Sequence, residues 1–122
     1  MLQMKMHKKG FTLVEIMIVV VIIGMIAAIG MPYMLRAYIQ AQQNAIDRNL
    51  ADINKTKAQL TLPVGTAGGE GYTDTTVIDA TVKGKINALL HIDSADALAV
   101  GGVTPDYGAT IGEPAKYTSV PK

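Results

Sequence analysis

Twenty-five consecutive residues, Phe11 to Leu35, contain one side chain that is charged at neutral pH, Glu15. At about 1.5 Å per residue, a helix of that length reaches about 37 Å, more than the roughly 30 Å hydrocarbon core of a bilayer. In lipid every backbone amide must be bonded internally, so helix is the expected state despite the many β-branched side chains. The spacing therefore predicts a membrane-spanning helix over 11–35. No other stretch of the chain constrains it as tightly.

The carboxylate needs a physical reason. An acid at the centre of a membrane helix costs about 2.5–3.5 kcal/mol on insertion scales. Glu15 stands near the beginning of the run, where the cost is lower and the positive end of the helix dipole compensates it. One reading is an acid tolerated at the interface; the sharper reading is a carboxylate that acquires a cationic partner on assembly. Ahead of it lies a short basic leader with Lys5, Lys8 and Lys9, ending in Gly10. The leader lacks the apolar centre of an ordinary secretory signal, since the apolar run follows it. The basic cluster against the solitary Arg36 beyond the run predicts the N-terminus on the cytoplasmic side. His7 falls in the leader and is assigned no role.

The stretch Lys8-Lys9-Gly10-Phe11-Thr12-Leu13-Val14-Glu15 resembles the class III signal of the type IV pilin superfamily, which includes the type II secretion pseudopilins. The resemblance implies that residues 1–10 are a leader, cut between Gly10 and Phe11 by a membrane-embedded prepilin peptidase. The same enzyme would N-methylate Phe11. Glu15 matches the acid that pairs with the N-terminal amine of a neighbouring subunit, and Gly24 and Pro32 fall where the superfamily loosens its helix. Proline removes a donor and crowds the preceding turn, so a kink or local unwinding near 28–32 is expected.

Beyond the span, residues 36–60 read as an amphipathic continuation of the same helix. Ile39, Ile46, Ile53 and Leu60 recur every seven residues, with Leu35 and Leu50 beside them. Ala37, Ala41 and Ala45 form a second ridge of small side chains. Residues 61–76, with Pro63, Gly65, Gly68, Gly69 and Gly71, read as a loop. Asp74 or Thr76 is expected to cap a short helix running to Lys83 and ended by Gly84. Asp93-Ser94 is expected to cap another from Ala95 to Val100. Tyr107–Ile111 and Lys116–Val120 alternate polar and apolar and predict a β-hairpin. The fold class is α+β and pilin-like: a long N-terminal helix packed by a small domain, 61–122, with a short antiparallel sheet.

The chain has no cysteine, which excludes a disulfide, a thiol nucleophile and Cys-ligated zinc. It has two histidines and neither a Walker loop nor HExxH, so no enzymatic activity is expected. His91 reads as a packed or surface residue. The full chain carries a net charge of +1, but removal of the leader takes away three lysines and no acid, leaving −2 on the side chains. No basic stripe with interleaved aromatics suggests nucleic acid. The resemblance to major pseudopilins also implies calcium, for which Asp93, Asp96, Asp106 and Glu113 are candidate ligands. The competing reading is that these acids are caps and solvated surface, since no EF-hand spacing is present.

The expected function is a structural subunit of a type II secretion pseudopilus, of the major kind. It would assemble from the bacterial inner membrane into a homo-oligomeric filament with minor pseudopilins, driven by a platform protein and an ATPase. The alternatives are a type IV pilus major subunit, for adhesion, motility or DNA uptake, and an unrelated bitopic membrane anchor.

Overall fold

The structure is a computed structural model and describes residues 9–119; Lys5, His7 and Lys8 of the leader and the far end of the expected second strand lie outside them. The elements are α1 (Leu13–Leu60), α2 (Ala80–Leu89), a 3-10 turn (Ala95–Leu98), β1 (Pro105–Asp106) and β2 (Lys116–Tyr117). The chain divides into two compact units, 1–37 and 38–122.

In the first unit α1 presents apolar side chains outward on every side, from Leu13 through Leu35. Such a helix is stable where its surroundings are as apolar as it is. This part of α1 is long and apolar enough to cross a membrane. The helix passes through both Gly24 and Pro32 without interruption, so the local unwinding expected near 28–32 is absent. Proline removes one hydrogen bond, and the flanking turns keep their own.

In the second unit the stripe of α1 narrows onto a core. Ile46, Ile53, Thr56, Lys57 and Leu60 are its buried positions, at the three-, four- and seven-residue steps of a single helix face. Ile53 and Leu60 pack with Ile78, Val82, Ile86, Tyr107, Ile111 and Ala115. Fully burying each aliphatic side chain of this size stabilises by about 1.5–3 kcal/mol. Ile39, at the head of the expected stripe, is half-buried.

The end of α1 is closed by the loop that follows it. The backbone N–H groups of Glu70 and Tyr72 both donate to the Leu60 carbonyl, and that of Gly71 donates to Leu62. These bonds satisfy carbonyls that a helix end leaves unpaired. The return is tight: a Cβ at Gly69 would lie 2.6 Å from the Pro63 carbonyl oxygen.

Two expected elements are displaced. The helix expected to end at Gly84 is α2, which starts later and runs through that glycine. Its cap is Asp79, whose Oδ1 accepts from the Val82 N–H at 2.9 Å, whereas Thr73–Thr76 form a turn of their own. Val82, Ile86 and Leu89 all pack into the core, and that burial carries the helix past the weak glycine. His91 then adopts φ +56° and ends α2. The Ile92 N–H donates to Asn87 and the His91 N–H to Ala88, a Schellman closure that places histidine where glycine is usual.

The expected hairpin also shifts. Pro105 pairs with Tyr117 and Asp106 with Lys116, antiparallel, so the first strand precedes Tyr107. Gly108, at φ +88°, turns the chain away directly after Tyr107. Residues 109–112 pair instead with 74–78: Ile78 donates to Ala109, Ile111 to Thr76 and Gly112 to Asp74. The short helix expected from Ala95 to Val100 is a single 3-10 turn, Ala95–Leu98, with Ser94 at its N-cap position but making no side-chain cap bond.

Candidate functional site: the N-terminal helix start and the cation of the second unit

Gly10 and Phe11 precede the helix and carry no regular structure; Phe11 is 85% exposed. Thr12 is the residue that starts α1. Its Oγ1 accepts from the Glu15 N–H at 3.3 Å, and Glu15 Oε2 accepts from the Thr12 N–H at 2.9 Å. This is a reciprocal capping box, in which each side chain satisfies an amide that the helix end would leave bare. The Glu15 carboxylate is thereby held on the Thr12 N–H, the amide directly after Phe11. In the single chain Glu15 thus has a local bonding role at the helix start. The Thr-x-x-Glu spacing before an apolar run was the signal for this box, and attention to the charge alone passes over it.

The four acids suggested for calcium are not gathered. Asp106 Oδ1 accepts from the Gly108 N–H at 3.0 Å, and Glu113 Oε2 accepts from the Ala109 N–H at 2.9 Å. Asp96 accepts from the Ser94 hydroxyl. Among the described residues no three His, Asp or Glu side chains are grouped to hold a metal ion.

A residue that sequence reasoning passed over lies beside two of them, Asp106 and Glu113. Lys57 is 2% exposed, and its Nζ donates to the carbonyls of Tyr107, at 2.7 Å, and of Glu113. Burial lowers its pKa below the ordinary 10.5, while the negative charges of Glu113 and Asp106 act in the opposite sense. Two asparagines on α1 make similar bonds. Asn54 Oδ1 accepts from the Ala115 N–H at 3.0 Å, and Asn49 Nδ2 donates to the Leu98 carbonyl at 3.1 Å. The Tyr117 hydroxyl donates to that same carbonyl at 2.6 Å.

Residues 5–31 match the family described as "Prokaryotic N-terminal methylation motif". The match takes in Gly10, Phe11 and Glu15 and stays within about the first quarter of the chain. The chain is 37% identical over 102 residues to the type IV major fimbrial protein FimA of Dichelobacter nodosus strain VCS1703A, covering 84% of this chain and 62% of that protein. Another Dichelobacter nodosus type IV major fimbrial protein FimA is 41% identical over 83 residues, or 67% of this chain and 51% of its own length. The chain thus spans less than two thirds of the length of these curated relatives. No solved structure gives a significant match.

Proposed function

We propose that this chain is the precursor of a structural subunit of a type IV pilus. The observation that carries this reading is the Thr12–Glu15 box set directly behind Gly10–Phe11, at the head of an outward-facing apolar helix. The relatives named as major fimbrial proteins favour a pilus over the pseudopilus expected from the sequence. Neither role requires catalysis by this chain.

A prepilin peptidase hydrolyses the Gly10–Phe11 bond on the cytoplasmic side of the inner membrane, and the amine released on Phe11 is methylated. The apolar part of α1 holds the subunit in the bilayer until a platform protein and an ATPase draw it into the filament. There the Phe11 amine of one copy meets Glu15 of another. Desolvating two charges costs as much as their attraction returns in many buried pairs. The pair therefore sets axial register, and the exposed apolar side chains of 13–35 supply adhesion between copies.

Mass spectrometry of protein from a peptidase-competent bacterium tests the first step. The expected species begins at N-methylated Phe11; an intact leader on all the protein would return the chain to the class of simple anchors. Glu15→Ala should leave insertion and cleavage in place and reduce surface fibres. Undiminished fibres in that variant would refute the pairing. Loss of exoprotein secretion with fibres retained in a deletion strain would restore the pseudopilus reading.

A further inference from the structure

We propose that the ammonium of Lys57 is the structural cation of the second unit, holding the place that the pseudopilin resemblance had reserved for calcium. Hard cations are bound in proteins by carbonyl and carboxylate oxygens. The segment 105–117 presents such a set. The Tyr107 and Glu113 carbonyls point inward, and the carboxylates of Asp106 and Glu113 belong to the same loop. Both carbonyls are already occupied by Lys57 Nζ. Both carboxylates are already bonded to amides of the loop, which fixes them where their charge offsets part of the cost of burying the ammonium.

The arrangement explains how a unit with no cysteine, and no gathered metal cluster among its described residues, closes the segment 105–117 onto a helix. A buried ammonium left unpaired would be strongly destabilising, and a buried carbonyl left without a donor costs about 1–3 kcal/mol. Each therefore obliges the other to stay. Lys57 also lines a cleft of about 260 Å³, together with Asn54, Asp74 and Glu113. The inference is independent of the pilus reading, since it concerns closure of this unit whatever filament it serves.

The test uses the full chain in detergent micelles and follows amide hydrogen exchange at Ile111, Gly112 and Ala115, whose N–H groups bond Thr76, Asp74 and Asn54. Wild-type protection should be the same with calcium chloride as with EDTA. Lys57→Met keeps much of the aliphatic packing but removes the ammonium. It should exchange at least about tenfold faster at these amides while Leu90, inside α2's closure, changes little. In Lys57→Ala, n-propylammonium should restore protection and n-propanol should not. Faster wild-type exchange in EDTA, full protection in Lys57→Met, or no recovery of Lys57→Ala with n-propylammonium would each overturn the proposal. If Lys57→Met fails to fold, the EDTA comparison and the amine rescue still decide it.

Discussion

At the scale of single residues, the most informative side chain is Glu15, because it has two roles that a substitution can separate. In the isolated chain it closes the first turn of α1 through the Thr12 N–H. In the proposed filament it faces a neighbour's amine. Glutamine serves the first role as well as glutamate, since the capping box accepts either, but carries no charge for the second. Glu15→Gln should therefore keep a mature N-terminus at Phe11 and a protected first turn, yet lose fibre yield. Thr12→Ala should show the converse, with a first turn weakened by about 1 kcal/mol and fibre assembly retained. Electron microscopy beside amide exchange at Leu13–Ile16 reads both. Equal fibre yields from Glu15→Gln and wild type would make the carboxylate's charge irrelevant.

At the scale of elements, α2 shows how tertiary burial overrides a local signal. Glycine at position 84 reads as a stop, but a Cβ placed there meets nothing within 4 Å and the backbone lies outside the left-handed region. Gly84→Ala should raise stability by about 0.5–1 kcal/mol, seen as a higher unfolding midpoint. Gly69→Ala should do the opposite, because its Cβ would strike the Pro63 carbonyl. The same contrast explains what could be read from the chain alone. The stripe Ile46–Ile53–Leu60 was legible because burial repeats at the helical period, and the apolar run because it holds one charged side chain over twenty-five residues. The start of α2 was not, because Asp74 and Thr76 offer caps as plausible as Asp79, and the register of β1 was not, because residues 109–112 pair with 74–78, distant in sequence. Lys57, Asn49 and Asn54 were missed because polar residues beside an apolar stripe read as its solvated flank. Only the fold reveals the backbone groups they meet.

At the scale of the whole molecule, two buried groups of the second unit oppose one another in alkali. Tyr107 is 3% exposed and its hydroxyl donates to Asn87 at 2.6 Å. Burial raises its pKa above the ordinary 10.0, with the nearby Tyr117 acting in the same direction. Its contribution is therefore fully present below pH 10 and is lost as pH rises through the folded value. Lys57 has the reverse sign. Its folded pKa lies below 10.5, so the unfolded chain holds that proton more tightly and stability from this group grows as pH climbs toward 10.5. The neutral amine still has two N–H groups for the two carbonyls. Denaturant titrations should show the advantage of wild type over Tyr107→Phe shrinking above pH 10. They should show the advantage over Lys57→Met persisting or growing there. A wild-type advantage over Tyr107→Phe that holds constant through alkaline pH would contradict the first assignment.

Lys57 and Asn54 take hold of carbonyls and amides, groups that every amino acid supplies in the same place. The outward residues of the terminal segment, such as Lys116 and Thr118, are thus released from any duty in attachment. The sequence of that exterior is free to change while the seat beneath it stays the same.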